Sequence, residues 1–135
     1  MPEPFDLLFA GGVVVTGQGM QLADVGVRDG KIAEVGRALS AAGCRRVIDL
    51  SGKYLLPGVI DVHVHPVYLD DVEACSRVAA YGGTTTLIHF AYARKGESLL
   101  EQVSKMLEDA SGRSRLDFGL HGGMFDAPIQ VPEIR

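Results

Sequence analysis

Tryptophan is missing from this chain of 135 residues, cysteine occurs only twice, and no apolar run approaches the ~18 residues needed to cross a membrane. Each shortage excludes a class of protein. Cys44 and Cys75 are too few for a disulfide framework and share no CxxC spacing, so two free thiols without a chemical role are expected. The opening stretch MPEPFDLLFAGG has acidic residues where a secretory leader has basic ones, and the expected location is cytoplasmic. Basic residues are outnumbered as well, 13 against 17 acidic, for a net charge of −4 with Arg45-Arg46 as the nearest approach to a basic patch. Neither nucleic acid nor a membrane is an expected partner. The paired glycines Gly82-Gly83 and Gly122-Gly123 lie outside any GxGxxG or GxxxxGK[ST] pattern, so no phosphate loop is expected.

What the chain does have is 47% apolar residues, enough for a buried core in a protein the size of one ordinary domain. Residues 5–56 alternate short apolar runs with turn signals, which suits strands. DLLFAGGVVVTG reads as one or two strands. Asp29-Gly30 then separates two alternating segments, the strongest short hairpin signal, since a type I′ turn needs positive φ at both positions. Ser51-Gly52 marks a further turn between two more strands. The expectation for residues 1–56 is a small antiparallel sheet, the N-terminal part of a composite β-sandwich.

From Pro57-Gly58 the pattern changes, and a boundary is expected between Leu56 and Gly58, with 57–135 as the second part. VIDVHVH reads as a strand, and LDDVEACSRVAAYGG as a helix with Leu69, Val72, Cys75, Val78 and Ala79 on its apolar face and Gly82 as its stop. TTTLIHF (84–90) is a second strand. SLLEQVSKMLEDASG follows, opened by a Ser98/Glu101 capping box, with Leu99, Val103, Met106, Leu107 and Ala110 on one face and Gly112 as its end. RKGE (94–97) reads as a solvated turn and RLDFGLHGG as a third strand. Strand, helix, strand, helix, strand is the order of βα units on a parallel sheet.

The chemistry concentrates in GVIDVHVHP, Gly58 to Pro66. Side chains alternate across a strand, so Asp61, His63 and His65 share one face while Ile60, Val62 and Val64 share the other. The aliphatic face is expected to pack under helices and the histidine face to look into a barrel or cleft. Two imidazoles about 7 Å apart along the strand can lean toward one point, which is bidentate spacing for a transition metal. Two readings stand, core histidines or metal ligands. Position favours the second, because the pair ends the first strand of a βα series, where parallel α/β folds collect their sites. Asp61 reads either as an acceptor that fixes a histidine tautomer or as a carboxylate bonded to nearby backbone. His89 and His121, late in the second and third strands, can reach the same mouth, and read as supporting or core histidines. Asp117 is expected to be structural.

These residues resemble a known group. A small N-terminal sheet followed by LPGVIDVHVH resembles the start of the metal-dependent amidohydrolases. Within them AAYGGTTTLIHFA (79–91), KGESLLEQVSKM (95–106) and LDFGLHGGM (116–124) resemble the cyclic amidases called hydantoinases or dihydropyrimidinases, over Asp6 to Met124. The resemblance implies a distorted TIM-like (β/α)8 barrel with a β-sandwich, and His63 and His65 as ligands of the more buried of two divalent ions, usually zinc. It implies hydrolysis of a cyclic amide C–N bond by a metal-bound hydroxide, a small-molecule substrate, and a homo-oligomer, dimer or tetramer, as the full-length enzyme. A bridging carboxylated lysine, two more histidines and an aspartate acting as general base belong to that machinery and have no counterpart here. The family commonly has an aspartate where His89 stands, and the segment between His65 and Gly82 is shorter than usual. Dihydroorotases resemble the chain less, since Val67 stands where they carry an arginine. Allantoinases and the isoaspartyl and D-amino-acid deacylases are further relatives.

Gly58 to Arg135 holds three expected strands, whereas a closed eight-stranded barrel takes about 250 residues. The chain therefore reads as roughly the N-terminal third of an enzyme, inactive alone, with uncovered sheet edges. Two alternatives remain: a non-catalytic dihydropyrimidinase-like scaffold, and an independent small metal-binding domain.

Overall fold

Ten residues of continuous strand near the N-terminus organise the first of two units in a computed structural model that describes residues 3–66 and 70–134. The chain divides between Pro57 and Gly58. Strand β1 (Leu7–Thr16) pairs antiparallel with β2 (Gly19–Arg28), and β2 with β3 (Lys31–Gly36). The β2/β3 hairpin turns at Asp29 and Gly30, with φ of 50° and 71°, as a type I′ turn requires.

The sheet is not wholly antiparallel. β4 (Arg46–Asp49) and β5 (Tyr54–Leu55) both run parallel to β1, not against each other. The reason lies in β1, whose register slips between Phe9 and Gly12, with Gly11 at φ 72°. The Ser51-Gly52 turn steps past this kink. Leu50 N–H donates to the Ala10 carbonyl (2.8 Å) below it, and Val13 N–H donates to the Lys53 carbonyl (2.9 Å) above it. The half-buried kink is pinned by Asp24, whose carboxylate accepts from Gly11 N–H (2.7 Å) and Leu39 N–H (2.9 Å). Val14, Ala23 and Val25, with Phe9 and Leu55 against them, form this unit's core.

The second unit is mixed α/β. A parallel sheet in the order β6-β7-β8 is built from β6 (Val59–Val64), β7 (Thr84–Ala93) and β8 (Asp117–Met124), with α1 (Val72–Tyr81) and α2 (Leu99–Arg113) as its crossovers. A short α3 (Ala127–Gln130) and a 3-10 turn (Val131–Glu133), neither expected from the sequence, follow β8. Asp71 caps α1 by accepting from Ala74 N–H at 2.8 Å. Gly82 does cap its end, and Gly83 takes the left-handed φ of 83° that follows. Leu69 lies outside the described residues. Val78 is 64% exposed, so it does not belong to the apolar face; Ser76 is buried in its place, donating to the Glu73 carbonyl and accepting from Arg115 N–H.

Helix α2 begins where the capping signal put it, with Ser98 accepting from Glu101 N–H at 3.1 Å. Glu101's carboxylate pairs with Lys105 at 2.6 Å. The expected stop at Gly112 fails, since the helix runs on to Arg113. A helical glycine costs only about 1 kcal/mol, and Arg113 anchors the last turn through Asp109 (2.9 Å) and Asp71. Leu107, at 50% exposure, also falls off the expected buried face.

The alternation along β7 sets the two faces of this sheet. Leu87, His89, Ala91 and Ala93 are buried on the side carrying the helices, where a Cβ on Gly122, partner of Ala91, would meet Leu99 of α2 at 2.9 Å. Ile88, Phe90 and Tyr92 lie on the other side, only half-buried. The aliphatic face of β6 is not covered as expected, with Ile60 and Val62 each 60% exposed. The register of β6 against β7 shifts twice, at Val59/Ile60 and at Asp61/Val64, so its side chains do not keep one alternation, and the helices settle on β7 and β8.

Candidate metal centre at the end of the first parallel strand

His63 and His65 meet on the open face at the C-terminal end of β6. Their ring centroids are 4.7 Å apart with the planes at 78°, closer than the ~7 Å separation of alternate residues along a strand. The rings lean together. His65 is half-buried and His63 exposed.

The expectation that Asp61 shares their face fails: in register it stands beside Leu87, on the helix side of the sheet, and its carboxylate accepts from the backbone N–H of His63 at 3.1 Å. The register of β6 against β7 slips between Asp61 and Val64, so this bond holds an irregular turn of backbone beneath the histidines. Of the two readings of Asp61, the structure shows the contact to backbone.

Three further rings continue the open face. Phe90 lies 4.7 Å from His63 and 5.0 Å from His65, and 4.8 Å from His121 on β8. His121 thus shares the face with the pair, separated from it by Phe90. Tyr92 stacks on His65 at 5.8 Å and 14°, and its hydroxyl meets His65 Nδ1. Phe90 and Tyr92 were not among the expected site residues, although their spacing of two on a strand makes them neighbours on one face.

His89 does not join this group. It stands beside Val64 in register, on the helix-covered face and fully buried, with neither ring nitrogen hydrogen-bonded among the described residues. Burial holds its pKa below the ordinary 6.5. The expectation that it reaches the mouth beside the pair fails on parity, because His89 and Phe90 are adjacent and point to opposite sides.

Cys75 offers no nucleophile. Burial pushes its thiol pKa up, and the Asp70 and Asp61 charges add to that, while a reactive cysteine needs the reverse. Asp117 is exposed and pairs in register with Thr86. An open cavity of ≈ 850 Å³ is lined by Tyr92, Arg94, Lys95 and Phe125 and, from α2, by Lys105 and Asp109. It adjoins the site through Tyr92 and does not include the histidine pair. Among the described residues no three His, Cys, Asp or Glu side chains converge; His63 and His65 stand as a pair. No helix among them is long and apolar enough to cross a membrane.

No protein-family model matches the chain. It is 41% identical over 135 residues to the D-hydantoinase of Rhizobium radiobacter, covering 95% of this chain and 29% of that protein. With the dihydropyrimidinase of Rattus norvegicus it shares 37% identity over 126 residues, 85% of this chain and 24% of the other. Among solved structures, the D-hydantoinase (dihydropyrimidinase) from Thermus sp. superposes with a TM-score of 0.83 at 33% identity, over 95% of this chain and 30% of that one. The chain spans less than a third of the length of these relatives. Agreement of sequence and fold over nearly all of its residues places it: the chain belongs to the hydantoinase and dihydropyrimidinase family, and corresponds to its N-terminal part.

Proposed function

We propose that this chain supplies the first metal-binding stretch of a (β/α)8-barrel hydrolase that opens a cyclic amide of the hydantoin or dihydropyrimidine type. The observation that carries the proposal is the pair His63 and His65, with rings 4.7 Å apart at the C-terminal end of the first parallel strand. Family membership supports the reaction class. Two neutral imidazoles at such a position suit zinc or a similar divalent ion. They fit as two ligands of a larger set, not as a site complete in itself, since two histidines alone hold a metal weakly.

When bound, the metal lowers the pKa of water so that a nucleophile forms at neutral pH, and it polarises the scissile carbonyl. The chain's own residues do the positioning. Asp61 fixes the backbone from which His63 projects. Phe90, between the pair and His121, gives the open face an apolar floor suited to a flat, uncharged ring. A small-molecule substrate fits the net charge of −4 better than a polyanion does. Two divalent ions, a homo-oligomeric assembly and a cytoplasmic location belong to the same proposal.

Elemental analysis and hydrolysis assays with hydantoin, dihydrouracil and allantoin test it in the protein that carries this chain. The wild type should contain zinc and open at least one ring; changing His63 and His65 together to Ala should remove metal and activity. Unchanged zinc in the double variant would refute the ligand assignment. A folded, zinc-loaded protein inert toward all three rings would favour a scaffold role.

A further inference from the structure

A metal takes only one of the two nitrogens of an imidazole. The partner of the other nitrogen decides which one is offered and how the ring is aimed. In His65, Nδ1 meets the Tyr92 hydroxyl. The two rings also stack, 5.8 Å apart and 14° from parallel, and the ring of Phe90 lies 5.0 Å from His65 at 29°. His65 is thus held through Nδ1 by the Tyr92 hydroxyl and by aromatic neighbours on the same face. His63 has a different setting, edge-on to His65 and against Phe90.

We propose that Tyr92 is a positioning residue for His65: through Nδ1 it fixes the imidazole plane and commits Nε2 to the metal. A hydroxyl both donates and accepts. When Nε2 gives its lone pair to a metal, the ring proton sits on Nδ1 and is donated to Tyr92 Oη. In the metal-free ring the same hydroxyl can donate to Nδ1. A carboxylate or carbonyl in this place could only accept, so the tyrosine lets one contact serve both states. The inference rests on His65 being a ligand.

The test uses the protein that carries this chain, with 15N-labelled histidine and zinc as the probe. In the wild type, long-range 1H–15N spectra should show zinc on Nε2 of His65 and the proton on Nδ1. In Tyr92→Phe, which keeps the ring and removes only the hydroxyl, the His65 nitrogen signals of the metal-free protein should shift while those of His121 stay. Its zinc affinity, from competition with a chromophoric chelator, should fall roughly 10–100-fold, the usual consequence of losing a ligand's outer partner. Zinc on Nδ1 of wild-type His65, or identical metal-free His65 signals in Tyr92→Phe, overturns the inference. Failure of the ligand reading looks different, since zinc affinity would then be unchanged in His63→Ala and His65→Ala as well.

Discussion

Replacing Gln130 by Leu should destabilise the second unit by about 3–4 kcal/mol. Gln130 is fully buried in α3. Its Oε1 accepts the N–H groups of Phe125 and Asp126, both at 2.9 Å. Its Nε2 faces three carbonyls, those of Ala93 at 2.9 Å and of Arg94 and Glu97 at 3.0 Å. One amide thus joins the end of β7, the turn into α2 and the segment after β8. Two amide hydrogens cannot fully serve three carbonyls, so about four bonds are made at once. At ~1 kcal/mol net for each, the loss is about 4 kcal/mol, reduced wherever water enters to serve the orphaned groups. Against a typical domain stability of ~5–15 kcal/mol, that is a large share.

Urea unfolding followed by circular dichroism measures the loss, and hydrogen exchange at the Phe125 and Asp126 amides locates it. Both amides should exchange faster in Gln130→Leu, while those of β1 and β2 stay unchanged. Gln130→Glu separates hydrogen bonding from packing: its carboxylate still accepts from the two N–H groups but turns an oxygen toward three carbonyls, so it should be no better than Leu despite nearly the same shape. A loss below ~1 kcal/mol with unchanged exchange would show that packing and backbone contacts hold this corner without the amide.

Other changes probe the remaining parts. Because burial lowers the folded pKa of His89 below the unfolded 6.5, the unfolded chain binds the proton more readily. The His89 contribution is therefore present above about pH 6.5 and is lost as pH falls toward the folded value, by up to ~1.4 kcal/mol per pH unit for one proton. His89→Leu should flatten this acid slope in denaturation curves taken from pH 7.5 to 5, and an equal slope in both proteins would assign it to other groups. Asp24→Ala strips the acceptor from Gly11 and Leu39 N–H and should cost roughly 2–3 kcal/mol, with Asp24→Asn losing about half as much because one oxygen remains; equal losses in the two variants would contradict the two-bond account. In Gly58→Ala the new Cβ would collide with the Thr85 side chain, an overpacking cost of about 1–3 kcal/mol, seen as a lower Tm.

Much of the second unit was legible because βα grammar is local. The Ser98 cap, the Gly82-Gly83 exit of α1 and the strand that carries His63 and His65 each announce themselves within a few residues, and each is found where its signal lies. The misses are of another kind. Val78 and Leu107 sit at helical spacing from buried neighbours, yet a helix with little apolar surface above it buries only a narrow stripe. The parallel course of β4 and β5 depends on a kink in β1 some forty residues earlier, which no local pattern encodes. Gln130 in a stretch rich in Pro and Ile carries no sequence sign that three remote carbonyls converge on it.

The histidines show most sharply what local reading reaches. His63, His65 and His121 end on one face and His89 on the other, though all four were placed late in strands aimed at one mouth. Parity decides it: in β7 the apolar residues Leu87 and Ala91 face the helices, and His89 lies between them at the same spacing of two, so burying them buries it. The even positions, Phe90 and Tyr92, then become the neighbours of the histidine pair. Counting along TTTLIHFAYA from either leucine or alanine assigns every residue to its face, and identifies Tyr92, not His89, as the residue of this strand able to reach His65. A site residue on a strand is thus found by asking which side its apolar neighbours must take, before asking what its own chemistry permits.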